Sequence, residues 1–208
     1  MKTLDQLGLE HGTDKASSFH GYLNTYERYL APLRDKPIRL LEIGVLGGAS
    51  LKMWRDYFPN GQITGLDCDD LSHLKLGERI QILRGDASSE ETWLRHFNEC
   101  AGKYDLIVDD GFHSTYAIIK AFTCGFPLLK PGGLWIVEDL HAGHLSEMRR
   151  DNSLMGLSPI ETATNFFAEF AKRLTALGGQ CGKEDRSAAE MPFAFIHFWK
   201  SLIVIGKR

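Results

Sequence analysis

The chain has 208 residues, 43% of them hydrophobic and 25% charged, with a formal net charge of −3. That length lets one globular domain bury a core without disulfides or structural metal, and the dispersed basic residues argue against a nucleic-acid scaffold, which would show a basic face. The cysteines Cys68, Cys100, Cys124 and Cys181 are too far apart for a zinc or disulfide framework and fit a reducing cytoplasm; a signal-peptide core and the apolar run of about 18–20 residues that a membrane span needs are both missing.

Residues 1–36 read as an N-terminal helical cap on an α/β core over 37–208, the whole forming one domain. Ile38–Ile43 is a short apolar run ending at Gly44, the profile of a buried strand. Ala49–Tyr57 follows with Leu51, Met53, Trp54 and Tyr57 at helical spacing. Ile63–Leu66 is a second strand ending at Asp67, and Ile80–Leu83 a third ending at Gly85-Asp86. Ser88–Cys100 reads as a helix with Ser88 or Ser89 as N-cap. Tyr104–Val108 is a fourth strand, running into Asp109-Asp110-Gly111, and Ser114–Phe126 is its helix. Pro131-Gly132-Gly133 marks a turn, and Leu134–Val137 a fifth strand ending at Glu138-Asp139. After a polar stretch, Pro159–Leu177 is a further amphipathic helix. Phe193–Trp199 and Leu202–Ile205 lie too close for a crossover helix and must pair antiparallel.

Strands alternating with helices imply a parallel sheet covered on both faces. Five such strands closed by an antiparallel hairpin outline a doubly wound α/β, Rossmann-like fold of the class I methyltransferase type; a nicotinamide-binding domain would continue with parallel strands.

Ligands of open α/β sheets sit beyond the carboxyl ends of the strands. The first strand ends in L-L-E-I-G-V-L-G-G-A-S, carrying Glu42, Gly44, Gly47 and Gly48. Glycines there let the backbone turn and approach a ligand, but the spacing is not G-x-G-x-x-G, so the dinucleotide fingerprint fails. S-adenosylmethionine (SAM) has no phosphate and needs only a close floor. Asp67 lies 25 positions after Glu42, where a carboxylate can accept both ribose hydroxyls and would repel a 2′-phosphate. Asp86 is placed to meet the adenine amino group. Taken singly, each of these residues would also serve as a helix cap or tight turn; Asp109 reads equally as a cofactor contact or a first-turn structural residue.

The run D-D-G-F-H (Asp109–His113) and the pair Glu138-Asp139 fall on neighbouring strand ends. Four uncompensated carboxylates would repel in one cleft, so either some point away or a cation holds them. Oxygen ligands suit Mg²⁺, Mn²⁺ or Ca²⁺ rather than zinc. His113 stands beside the cluster and can accept a proton near neutrality. That set suits removal of a hydroxyl proton before attack on the methyl group of SAM. The structural alternative is that Asp109 and Asp139 cap helices and His113 lies on the surface.

These residues resemble the metal-dependent sugar O-methyltransferases of macrolide and related pathways, together with the methyltransferase-like proteins labelled cephalosporin hydroxylases. The likeness runs nearly end to end: G-T-D-K (Gly12–Lys15), Tyr22 and Tyr26, E-I-G-V…G-G-A-S-L-K-M-W, G-L-D, D-D-G-x-H, P-G-G-L-W-I-V-E-D-L and I-H-F-W-K-S-L-I-V-I. It implies Asp110, Glu138 and Asp139 as ligands of a divalent metal and His113 as general base. It also implies that Thr13, Lys15 and Tyr22 fold over the cofactor. The expected acceptor is a small hydroxylated, glycosylated molecule, with no nucleic acid or membrane partner, and the chain is a candidate homo-oligomer. The sequence departs from the larger antibiotic enzymes in lacking their long N-terminal region. After E-D-L it reads H-A-G-H-L-S-E-M-R-R, with His141 and His144 where an aromatic-rich stretch is expected. A non-sugar, catechol-like hydroxyl remains open as acceptor. A nicotinamide oxidoreductase is disfavoured by the glycine spacing, and a non-catalytic SAM-binding protein by the cost of an acidic cluster that mere binding does not need.

Overall fold

The computed structural model describes residues 1–100, 104–176 and 191–208. Strands β1 (Arg39–Ile43), β2 (Gln62–Asp67), β3 (Ile80–Arg84), β4 (Tyr104–Asp109), β5 (Leu129–Val137), β6 (Phe193–Trp199) and β7 (Leu202–Lys207) form a sheet in the order β3-β2-β1-β4-β5-β7-β6. The first five pair in parallel. Strand β7 slots between β5 and β6 and runs antiparallel to both. This is the class I methyltransferase arrangement, with its closing hairpin folded back so that the later strand lies inside.

The strands are apolar on both faces because both are covered. Successive residues point to opposite sides. Leu40, Leu106, Val108, Leu134, Ile136 and Val204 face one core with α1 (Leu4–His11), α2 (Leu23–Leu30) and α3 (Ala49–Tyr57). Leu41, Ile43, Ile107, Trp135, Val137 and Ile205 face the other with α4 (Glu90–Cys100), α5 (Thr115–Gly125) and α6 (Ala163–Ala176). The N-terminal helices are therefore part of one covering layer. Helix α1 starts with a capping box in which Thr3 accepts from the Gln6 amide and the Gln6 side chain accepts from the Thr3 amide; it stops at Gly12, whose φ of 71° is left-handed.

Two expectations shift. Pro131-Gly132-Gly133 is not a turn ahead of the fifth strand but an irregularity inside β5, where the pairing jumps from Tyr104↔Leu129 to Leu106↔Leu134; the Gly132 φ of 76° permits it. Helix α6 begins at Ala163 rather than Pro159, after Thr162, whose Oγ1 accepts from the Asn165 amide at 3.3 Å. Its expected end at Leu177 lies outside the described residues, as does Cys181. Between β5 and α6 the chain makes three 3₁₀ turns, Leu140–His144, Ser146–Arg149 and Asn152–Met155. Among the described residues no helix is long and apolar enough to cross a membrane.

The sheet order reverses between β1 and β4, and the crevice of such a sheet opens at that point, at the carboxyl ends.

Candidate active site

A cavity of about 700 Å³ opens there, a size suited to a cofactor. Its walls include Thr13, Gly44, Val45, Asp67, Asp86, Asp109, Asp110, His113 and Asp139. Gly44 turns the chain at the end of β1 with φ 86°. A Cβ there would overlap the Asp110 carbonyl oxygen, so only glycine lets the β1 and β4 ends approach. Asp67 accepts from the Val45 amide at 2.8 Å and from the Asp69 amide at 3.0 Å, which fixes its carboxylate across the cavity mouth. Asp86 accepts the Ser88 amide and hydroxyl at 2.8 and 2.7 Å, tying down the turn before α4.

Asp109 is only 4% exposed. Its Oδ1 accepts from the Gly111 amide at 3.4 Å, while Oδ2 is buried without a partner. Burial pushes this carboxyl up to about 7, with the Gly111 amide opposing and the charge of Asp110 adding. Among the described residues the walls carry aspartates and one histidine but no lysine or arginine. Such a lining repels a pyrophosphate and accommodates a cation such as a sulfonium nucleoside, so the residues fit SAM and not a dinucleotide.

At one end of the cavity Asp110, His113 and Asp139 offer ligand atoms within 4.8 Å of one another. His113 Nε2 lies 3.5 Å from Asp139 Oδ2 and 3.9 Å from Asp110 Oδ1. His113 and Asp139 both adopt left-handed backbone angles, φ 57° and 52°. For non-glycine residues that costs on the order of 1 kcal/mol or more each and persists where the surroundings enforce it, typically at functional sites. Ser114 caps α5 directly after His113, its Oγ accepting from the Ala117 amide at 3.1 Å, which anchors the D-D-G-F-H loop. A hard divalent cation fits two carboxylates beside an imidazole. His20 and His141 also approach Asp139, at 3.7 and 3.8 Å, and His141 Nδ1 lies 2.6 Å from Ser201 Oγ. His144 is exposed on the same 3₁₀ turn.

Five of the residues expected to bind cofactor or metal do not line the cavity. Gly48 is the left-handed residue before α3, packed against Leu76. Lys15, Tyr22, Glu42 and Glu138 form a layer beneath the floor. Lys15 Nζ hydrogen-bonds Asp110 and donates to Glu138 Oε2 at 2.9 Å, with Glu42 Oε1 at 3.4 Å. Tyr22 donates to Asp139 Oδ1 at 2.6 Å, and Tyr26 donates to Glu138 Oε1. Glu138, expected as the third metal ligand, gives Oε2 to Lys15, whose ammonium also meets Asp110, and Oε1 to Tyr26. Lys15 and Tyr22, expected over the cofactor, instead grip the acidic side chains from below. Ser50 donates to Glu42 at 2.8 Å, and burial pushes Glu42 up to about 7 with Lys15 opposing. The Tyr22–Tyr26 spacing of one helical turn was visible in the sequence; His20 and Ser201 carried no signal, because each reaches the site only through the fold.

No protein-family model matches the chain. It is 38% identical to the 8-demethyl-8-alpha-L-rhamnosyl tetracenomycin-C 2'-O-methyltransferase of Streptomyces olivaceus over 145 residues, which cover 66% of this chain and 38% of that protein. It is 36% identical to the mycinamicin VI 2''-O-methyltransferase of Micromonospora griseorubida over 144 residues, 66% of this chain and 36% of that one. The chain thus spans well under half the length of these curated relatives. The solved structure of MycE methyltransferase from the mycinamycin biosynthetic pathway, in complex with Mg, SAH and mycinamycin VI, superposes with a TM-score of 0.84 at 26% identity, covering 99% of this chain and 53% of that one. A putative caffeoyl-CoA O-methyltransferase from Staphylococcus aureus shares the fold, with a TM-score of 0.56 at 16% identity. In sequence across 66% of its length, and in fold across nearly all of it, the chain is similar to the sugar O-methyltransferases of antibiotic pathways.

Proposed function

We propose that the chain transfers a methyl group from SAM to a hydroxyl of a small molecule, a sugar hydroxyl of a glycosylated natural product, with a divalent cation assisting and His113 as general base. The observation that carries this reading is the Asp110–His113–Asp139 set opening onto a cavity lined by aspartates and, among the described residues, free of lysine and arginine. The named relatives, which act on rhamnosyl and mycinamicin acceptors, support the sugar, and the Mg and SAH of the MycE complex support the cofactors.

SAM supplies an electrophilic methyl group, and a divalent cation acidifies a hydroxyl and offsets the carboxylates. The protein's share is orientation and proton transfer. Asp67 and Asp86 accept hydrogen bonds from the nucleoside, and the Gly44–Val45 turn gives it a close floor. Asp110 and Asp139 hold the cation. Neutral His113 takes the acceptor's proton at Nε2, the nitrogen that faces both carboxylates. A second reading makes His113 a ligand of the cation, favoured by its 3.5 Å approach to Asp139; it predicts that His113→Ala loses metal affinity along with rate. The acidic mouth and the net charge of −3 disfavour nucleic acid as partner, and the free thiols of Cys68 and Cys124 fit a reducing cytoplasm.

Methyl transfer from isotopically labelled SAM to a panel of rhamnosylated and aromatic hydroxyl acceptors, followed by mass spectrometry, tests the proposal. Activity vanishes on chelation with EDTA and returns with Mg²⁺ or Mn²⁺. Full turnover after rigorous chelation contradicts the metal role, and transfer confined to aromatic hydroxyls contradicts the sugar.

A further inference from the structure

The pair Phe-His occurs twice in the sequence: Phe19-His20, on the loop between α1 and α2, and Phe112-His113, after β4. The fold brings both histidines to one carboxylate. His20 Nδ1 lies 3.7 Å from Asp139 Oδ1, and His113 Nε2 lies 3.5 Å from Asp139 Oδ2. The phenylalanine before each histidine is left in the open, Phe19 74% exposed and Phe112 61%. Phe112 lines the cavity, and the Phe19 ring packs edge-on against His20 with centroids 4.5 Å apart.

Neither ring is exposed because its loop is loose. The amides of Phe19, His20, Gly21 and Tyr22 all donate to backbone carbonyls of Asp14, Lys15 and Ala16, and the His20 ring stacks on Tyr22 at 5.0 Å. Phe112 follows Gly111, whose amide donates to Asp109 Oδ1, and precedes left-handed His113 and the Ser114 cap of α5. Apolar rings held out beside a cleft mark a binding surface, and rings already fixed lose little freedom when something covers them. The site between them says what does. An acceptor hydroxyl seated at His113 puts its sugar among the carboxylates, which suit hydroxyl groups. The part of the same molecule that projects past them meets carbon rings that offer no hydrogen bond.

We propose that Phe19 and Phe112 are specificity-determining residues: on the two sides of Asp139 they hold the apolar group attached to the acceptor sugar, so that a glycoside with a hydrophobic aglycone binds better than the sugar without one. The inference rests on the acceptor reading of this site given above, but it is tested by binding, with no methyl transferred.

The full chain, with SAH and Mg²⁺ present, is titrated calorimetrically with methyl α-L-rhamnoside and with 2-naphthyl α-L-rhamnoside, probes that share the sugar. The parent should bind the naphthyl glycoside at least about tenfold more tightly, a modest part of what burying an aromatic surface is worth. Phe19→Ala/Phe112→Ala should melt with the parent, since both rings are exposed. It should bind the two glycosides alike, with its affinities for the methyl glycoside and for SAH near parental. Phe19→Leu/Phe112→Leu, which keeps an apolar surface, should retain part of the preference. Equal affinity of the parent for the two probes, binding of neither, or a preference that survives in the alanine variant overturns the proposal. So does a parental dimer that the alanine variant splits with the glycoside preference unchanged, which would give the rings to a second copy of the chain. A parent that prefers the naphthyl glycoside yet methylates neither probe from SAM upholds the apolar surface and contradicts the methyl-transfer reading.

Discussion

Asp109 shows how a carboxyl beside the cavity is set by its surroundings. It ends β4 facing inward, with one oxygen lacking a partner, and burial raises it to about 7. In the unfolded chain the same group ionises near pH 4. Between those values the folded state keeps a proton that the unfolded state has lost, so Asp109 costs stability progressively as pH rises from about 4 to 7, after which the cost is constant. Asp109→Asn has no such titration and retains an oxygen for the Gly111 amide. The variant should gain on the parent between pH 4.5 and 8, by on the order of a few kcal/mol. Urea unfolding at both pH values reads this directly. An equal difference between variant and parent at the two pH values would show that Asp109 titrates as an ordinary exposed carboxyl.

The strand-end residues were legible because each follows an apolar run directly, and chain order then puts them at one rim. Their directions were not read. Asp109-Asp110 and Glu138-Asp139 are adjacent pairs, and adjacent residues at a strand end point to opposite sides. Only the second pair divides: Asp109 and Asp110 both line the cavity, whereas Glu138 bonds Lys15 and Tyr26 and Asp139, in a left-handed turn, reaches the cavity.

Among the elements, the parallel strands were the most legible because burial on both faces makes them continuous apolar runs. The break in β5 was not, since Pro131-Gly132-Gly133 carries turn chemistry whether it ends a strand or bulges it. The 3₁₀ turns after β5 have no apolar period to reveal them. On the second face of the sheet, α5 and α6 meet β5 and β6 through a ring cluster: Phe122 lies edge-on to Phe167 at 5.0 Å and to Trp135 at 5.4 Å. Phe167 is fully buried. Phe167→Ala should therefore lower stability by about 3–5 kcal/mol through lost burial and the cavity left behind. Because no described residue of α6 lines the cavity, SAM affinity of the folded variant should hold. Chemical denaturation with a calorimetric SAM titration checks both; a loss under about 1 kcal/mol would mean that the cluster collapses around the gap.

For the molecule as a whole, the two faces of the sheet do different work. The second face is ring-packed and apolar, and the first carries the N-terminal helices whose connecting loop and leading residues reach the acidic rim. Lys15 was assigned from resemblance to the cofactor's cover and does not itself line the cavity; a contact made across 95 positions of sequence, Lys15 to Asp110, depends on the whole sheet being assembled and leaves no local pattern. The reaction proposed for the site turns on a single proton acceptor between Asp110 and Asp139. Its most direct test is kcat for methyl transfer by His113→Ala at saturating SAM and Mg²⁺, with SAM and Mn²⁺ affinities measured on the same preparation. The rate should fall by roughly 10²–10⁴, the worth of a positioned base, with both affinities near those of the parent. A near-parental kcat with cofactor and cation bound would contradict the assignment.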